Sequence, residues 1–429
     1  MVPSATDPAL PQNLCIGPLQ SRSQSKTQTA MPDATLDNDH QELAAPPSPS
    51  VEHPLNRRKF LAGAVAAAAT YASPVEYRRV AIFAPGIMGS SLTHQGVSIW
   101  SDDLQNNYEM LANLAAAFTG GPDYAQTSII RRFRYGPVPL ATVYERILKE
   151  LRQIFASELL EFSYDWRQSV QQHPGALRRL LAARGVAFDS DGRMSGASPD
   201  FYLIGHSLGG LVLLLSVLRG IVAPEKVARL ILIAPPLAGS PNAFERLCGN
   251  VGLPWFSLYL WGFSRENKKR RIREALQAMP GLYALLPKVD DPFLLISKKA
   301  HLTFLRDYRK THPAKESIFT KAPWSEVISL QNELQAGLRT LPIPKERFRV
   351  IYSKSDTNTS ESLFAGDPSR PCAVVKAGVT SGDGTVGWKS ALYRGQVDTL
   401  AISMEVAGDH YTLCESKWVI KALRLALPL

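Results

Sequence analysis

The residues Gly205-His206-Ser207-Leu208-Gly209-Gly210 follow directly on the apolar run Phe201-Tyr202-Leu203-Ile204 and precede a leucine-rich stretch. A serine flanked by glycines between a strand and a helix suits nucleophilic catalysis. At so sharp a turn the neighbouring backbones leave no room for Cβ atoms, and the hydroxyl stands clear of the sheet. The turn also puts the Leu208 amide at a helix N-terminus, where it can donate to a developing oxyanion. A serine hydroxyl needs a base within hydrogen-bond reach. Three histidines follow Ser207, namely His301, His312 and His410. The first two precede the late strand candidates; His410, in Ala407-Gly408-Asp409-His410, follows the last one and is the expected base. His206, though adjacent to the serine, is expected to point to the other side of the turn and to serve packing. Two aspartates could orient the imidazole. Asp356 stands just after the strand candidate Arg347 to Tyr352, while Asp383 lies in Ser381-Gly382-Asp383-Gly384-Thr385-Val386, whose glycines suit a carboxylate held in a tight loop. Either could instead be a turn-forming aspartate, and the residues alone leave the choice open.

These side chains need a frame. Apolar or β-branched runs bounded by turn residues predict strands at Arg79 to Ala84, Leu159 to Phe162, Phe201 to Gly205, Arg229 to Ala234, Arg347 to Tyr352 and Leu400 to Val406. Between them, helical stripes run from Val143 to Phe155, Leu208 to Leu218 and Trp418 to Leu427. Alternating strands and helices imply a mainly parallel sheet with helices on both faces. The stretch between Pro235 and Pro344 is too long for one crossover, which predicts an inserted helical cap over about 236–344.

The chain has 429 residues, 45% of them hydrophobic and 20% charged, enough to bury a sizeable core and to exclude wholesale disorder. Residues 1–59 hold no aromatic residue, and nine of the 31 prolines precede Asn56, so 1–55 is expected to be a disordered leader. Five basic and six acidic residues fall within 1–72, so the net charge of +10 resides in the body. Asn56-Arg57-Arg58-Lys59-Phe60-Leu61 and the mild Ala-rich stretch ending at Tyr71-Ala72 resemble a twin-arginine export signal over 56–72. The expectation is an exported protein, periplasmic or secreted, with a cytoplasmic one as the alternative, and a folded domain over 77–429. The apolar run Leu61 to Ala69 is far shorter than the ~18–20 residues that span a bilayer. Cys15, Cys248, Cys372 and Cys414 form no CxxC pair and no metal-like spacing with histidine, so neither a metal nor another cofactor is expected. The basic body comes with no recognition motif or stacking platform for nucleic acid, and no nucleic-acid partner is expected.

Read together and in order, the motifs resemble the lecithin:cholesterol acyltransferase family. Ile82-Phe83-Ala84-Pro85-Gly86-Ile87-Met88-Gly89-Ser90 is similar to the family's V-P-G-x-x-G-[SN], with Ile99-Trp100 at the expected distance. Phe162-Ser163-Tyr164-Asp165-Trp166-Arg167 resembles P-Y-D-W-R, and Leu232-Ile233-Ala234-Pro235-Pro236-Leu237-Ala238-Gly239-Ser240 resembles G-A-P-x-x-G-S. The landmarks span about Val80 to His410. The resemblance implies an α/β-hydrolase fold with an inserted cap, and a lipid ester as substrate, cleaved through an acyl-serine by a lipase, phospholipase or O-acyltransferase. It places the acid in G-D-[GD]-T-V, hence Asp383 over Asp356, and makes the Ile87 amide the second oxyanion donor. A soluble esterase or polyester depolymerase is the rival enzyme, and a lipid-binding protein with a silent triad the rival of another class.

Two further stretches admit a role beyond the triad. Tyr164-Asp165-Trp166-Arg167 could tie a strand end through an Asp–Arg pair or shape the pocket floor. Leu253-Pro254-Trp255-Phe256-Ser257-Leu258-Tyr259-Leu260-Trp261 is unusually aromatic, and the basic run with Lys268, Lys269, Arg270, Arg271 and Arg273 beside it could meet an anionic membrane surface.

Overall fold

Strands buried on both faces read as unbroken apolar runs, because a parallel sheet has helices packed on either side. The inner strands here are of that kind: β1 (Arg79–Ala84), β3 (Asp200–His206), β4 (Val227–Ile233) and β5 (Phe348–Ser353); the edges, β2 (Leu159–Glu161) and, after the hairpin β6 (Asp356–Ala365) and β7 (Val374–Gly382), β8 (Ile402–Val406), are less buried. This is a computed structural model, and it describes residues 79–429 apart from 104–123, 197, 249–272, 289–291, 297–301, 305–322, 366–373, 394–395, 398–400 and 428–429. The six-stranded sheet runs β8-β5-β4-β3-β1-β2, and every neighbouring pair is parallel. Order and direction, with helices on both faces, are those of an α/β-hydrolase sheet.

The two faces follow the period of a strand. Along β1, Val80, Ile82 and Ala84 enter one core, while Ala81 and Phe83 enter the other. The first core packs α2 (His173–Ala182) and α3 (Leu208–Leu218) against the sheet; α3 is buried from Leu208 to Val217, as a helix apolar all round must be. The second receives α1 (Glu145–Phe155) through Ile147, Leu148, Leu151 and Phe155, and α6 (Lys417–Ala426) through Val419, Ile420, Leu423 and Ala426. Burial of this kind stabilises by about 25 cal/mol per Å² of apolar surface.

The insertion over 236–344 is not helical throughout. Its described residues include α4 (Pro241–Leu247), a helical stretch at 273–277 and α5 (Trp324–Arg339), but also strands Pro292–Ile296 and Leu302–Phe304. These join β6 and β7 in a second, four-stranded sheet, with Leu294 to Ile296 parallel to Leu363 to Ala365. The physical reason is the long β6–β7 hairpin, whose open edge offers unpaired main-chain groups to a short apolar run. A third sheet joins Ser90–His94, Val97–Trp100 and Tyr124–Ile129.

Candidate active site

Ser207 sits between the end of β3 and the first turn of α3 with φ 51° and ψ −123°, a conformation that costs a non-glycine residue about 1–3 kcal/mol. The surroundings hold it there. Its N–H donates to the Ile233 carbonyl of β4 at 2.9 Å. A Cβ on Gly209 would lie 2.3 Å from the Ala84 oxygen and 2.4 Å from that of Pro85, so only glycine lets α3 start this close to the end of β1. As the first residue of α3, Leu208 has an N–H with no intrahelical acceptor.

His410 follows β8, on a loop pinned to β5 by the Ser353 hydroxyl donating to the Gly408 carbonyl at 2.8 Å. Its Nε2 lies 3.0 Å from Ser207 Oγ and its Nδ1 2.7 Å from Asp383 Oδ2. All three are buried, at 3, 5 and 2% exposure for Ser207, His410 and Asp383. A carboxylate only accepts, so Nδ1 carries the imidazole proton and Nε2 is left to accept from the serine hydroxyl. Main chain reinforces the contact, since the His410 N–H donates to the Asp383 carbonyl at 2.9 Å. The other carboxylate oxygen of Asp383 accepts the amides of Thr385 (3.0 Å) and Val386 (2.7 Å), which fixes its rotamer.

Of the two candidate acids, the structure brings Asp383 to His410. Asp356 opens β6 and pairs with Gly382, and its Oδ1 accepts the Asn358 amide at 2.5 Å. It therefore caps the start of the hairpin while Asp383 occupies the end. The acid loop is also strapped from the start of α4: the Ser240 hydroxyl donates to the Thr385 carbonyl, and Asn242 Nδ2 donates to that of Gly384 at 2.8 Å. Ser240 is the N-cap of α4, its Oγ also accepting the Asn242 amide. The sequence marked Ser240 only as part of a motif; a serine followed by proline at the first helical position was the available sign of a cap.

The remaining side is the turn Gly86-Ile87-Met88-Gly89, closed by the Gly89 N–H donating to the Gly86 carbonyl at 3.0 Å, with Met88 at φ 63°. That hydrogen bond leaves the Ile87 amide outside the turn's own pairing. The Tyr164-Asp165-Trp166-Arg167 segment braces this turn. Tyr164 Oη donates to the Pro85 carbonyl at 2.6 Å, Trp166 Nε1 to that of Ser90 at 2.9 Å, and the Tyr164 amide to Ser90 Oγ at 3.1 Å. Arg167 and Asp165 form a bidentate pair at 2.7 and 2.8 Å, with the guanidinium almost fully buried. The ion-pair reading of the segment is the one the structure shows, with the aromatic side chains bonded to the main chain of the turn.

His206 is buried, its Nδ1 2.8 Å from Tyr144 Oη. Burial, with His410 beside it, holds its pKa well below the usual histidine value. His173, packed at a tilt against Tyr164 with 4.6 Å between ring centroids, is likewise pushed down to about 4 by burial, against an opposing pull from Asp165. Among the described residues no group of three or more His, Cys, Asp or Glu could hold a metal ion. Also among them, no helix is long and apolar enough to cross a membrane. His301, His312, the aromatic segment 253–261 and Lys268, Lys269, Arg270 and Arg271 lie outside the described residues; Arg273 is half-buried at the start of the 273–277 helical stretch.

Comparison with known proteins adds a family likeness. Residues 130–312 match the family model for lecithin:cholesterol acyltransferase, a stretch that contains Ser207 but neither Asp383 nor His410. No curated protein sequence matches the chain. Among solved structures, a chain of the Tle4–Tli4 complex is 12% identical, with 82% of this chain and 100% of that one covered and a TM-score of 0.45. The lipase BlEst2 of Bacillus licheniformis in mature form is 12% identical over 83 and 95% of the two chains, at a TM-score of 0.35. Naproxen esterase of Bacillus subtilis is 12% identical over 82 and 84%, at 0.29. The sheet order described above, rather than these distant likenesses, carries the fold assignment.

Proposed function

We propose that this chain, similar over residues 130–312 to lecithin:cholesterol acyltransferase, is a serine-dependent lipid acyl hydrolase or O-acyltransferase. The observation that carries the reading is the unbroken series Ser207 Oγ, His410 Nε2, His410 Nδ1 and Asp383 Oδ2, at 3.0 and 2.7 Å. In the proposed reaction Ser207 Oγ attacks the ester carbonyl as its proton passes to His410 Nε2, and Asp383 stabilises the imidazolium. The Leu208 and Ile87 amides receive the oxyanion; loss of one such donor typically costs about 3 kcal/mol of transition-state stabilisation. Collapse breaks the bond to the leaving alcohol, which takes the proton from His410, and an acyl-serine remains. Water or a second alcohol then gives its proton to His410 and attacks the acyl carbon. Release of Ser207 yields a free acid in the first case and a new ester in the second.

The test is labelling with a fluorophosphonate. A Ser207-dependent adduct is expected, and its absence in the wild type overturns the reading in favour of a silent lipid-binding protein. Incubation with mixed phospholipid vesicles, with and without a long-chain alcohol, then separates hydrolysis from transfer: mass spectrometry reads free acid against new ester. Turnover of short soluble esters with none of the vesicle lipid would favour the esterase alternative. The basic run Lys268 to Arg273 beside an aromatic segment supports docking on anionic lipid, which the same vesicles test through their phosphatidylglycerol content. Export rests on Arg57 and Arg58; changing both to Lys is expected to abolish it, and an unchanged location in cell fractions overturns it.

A further inference from the structure

The buried hydroxyl of Tyr144, just before α1, bridges the two halves of the site. Tyr144 is 2% exposed, and its oxygen accepts the Gly86 N–H at 2.8 Å. The same oxygen lies 2.8 Å from Nδ1 of His206, the residue before the nucleophile. Gly86 donates to this oxygen, so among the described residues Nδ1 is the one acceptor beside it for the hydroxyl's own proton, and accepting that proton places the imidazole proton of neutral His206 on Nε2. Burial keeps that imidazole uncharged. Among the described residues, Nε2 makes no hydrogen bond of normal geometry. The two imidazoles lie 4.9 Å apart between centroids.

The consequence lies in the Gly86–Ile87 peptide. A trans peptide points its N–H opposite to its C=O. The Gly86 carbonyl is held by the Gly89 amide, so the direction of the Ile87 N–H depends on that peptide not rotating. Glycine gives little resistance of its own to such a rotation. The Gly86 N–H held by Tyr144 supplies it from the other side. A bulkier residue would crowd the site: a Cβ on Gly86 would come within 3.1 Å of Ser207 Cβ and His206 Nδ1 and 3.2 Å of Tyr144 Oη. Resting on the function proposed above, we propose that Tyr144 and His206 are positioning residues, whose hydroxyl–imidazole contact holds the Ile87 amide aimed at the oxyanion formed at Ser207.

The ring and main chain of Tyr144 are held by contacts other than this hydroxyl. The main chain of Tyr144 is fixed by its N–H to the Arg131 carbonyl and by the Leu148 N–H to its own carbonyl, and its ring packs edge-on against Phe83 at 5.5 Å. Phenylalanine would keep all three contacts.

The experiment compares Tyr144→Phe, His206→Asn and His206→Leu with the wild type on a short soluble ester, after fluorophosphonate labelling of each. Asparagine retains an acceptor near the Nδ1 position, and leucine does not. Tyr144→Phe and His206→Leu are expected to lose about 10- to 100-fold in kcat at unchanged KM, and His206→Asn to recover most of that loss. The double variant Tyr144→Phe/His206→Leu is expected to be no worse than the poorer single, because both break one contact. Affinity for a boronic acid that forms a tetrahedral adduct on Ser207 should fall in step with kcat. A Tyr144→Phe kcat within twofold of wild type, a loss confined to KM, or additive losses in the double variant would overturn the proposal, while Ser207 labelling of the wild type left the hydrolase reading standing. A wild type with no Ser207-dependent adduct sinks both.

Discussion

The two sides of the site are built on opposite plans. The nucleophile belongs to the central sheet: Ser207 is pinned to β4, Gly209 presses on the carbonyls that end β1, and α3 is buried along nearly its whole length. The acid stands outside that sheet, on the hairpin β6–β7, and is held by many small bonds from Thr359, Ser240, Asn242 and its own loop amides. One side is fixed by packing that tolerates no added atom. The other is fixed by hydrogen bonds that can be removed one at a time.

The comparison breaks most decisively at the carboxylates. Asp383→Asn is expected to lower kcat by about 10³- to 10⁴-fold, by presenting an amide where His410 Nδ1 needs an acceptor, while Asp356→Asn stays within tenfold. Reversal of that order in ester turnover would move the acid to the other end of the hairpin. The packed side is tested by Gly209→Ala, whose methyl would overlap two backbone oxygens that cannot swing away. A loss of about 3 kcal/mol or more is expected, read as a fall in Tm or as failure to accumulate soluble protein.

A pH titration addresses the support behind the same side. Because the folded-state pKa of His173 is about 4, below its value near 6.5 in the unfolded chain, the unfolded state binds the proton more readily. Its contribution is therefore complete above pH 6.5 and is lost as pH falls toward 4, by up to about 3 kcal/mol. Tm measured across that window should drop, and His173→Phe should flatten part of the slope, with His206 supplying more of it. The smallest effect belongs to the acid side. Thr359→Val removes the buried hydroxyl that accepts the Gly384 amide at 2.9 Å, and about 1–2 kcal/mol should be lost with the hairpin otherwise intact. A loss as large as that of Gly209→Ala would erase the contrast between the sides.

The same contrast explains what could be read in the sequence. Strand, glycine-flanked serine and helix are contiguous, so a local pattern holds the whole geometry of the turn, and the buried strands betray themselves as apolar runs. The acid is a long-range fact. Asp356 has the expected place after β5, but β6 and β7 carry the chain out and back before Asp383 reaches His410, and nothing local to either aspartate records that return. The strand Pro292–Ile296 was absorbed into a helical cap because five apolar residues have no period that separates strand from helix. Tyr144 escaped notice for a simpler reason: a lone tyrosine before a helix has no motif, and its partners are 58 and 62 residues away.

The strand from the insertion that joins β6 has one more implication. Leu294 to Ile296 share a ladder with Leu363 to Ala365, at the end of the hairpin opposite Asp356 and the Gly382–Asp383 loop. Insertion and hairpin thus form one mechanical member, gripped at one end and carrying the carboxylate at the other. Any coupling through such a member would be reciprocal: if a ligand held by the insertion steadies the acid loop, a loosened acid loop weakens the hold on that ligand by the same free energy.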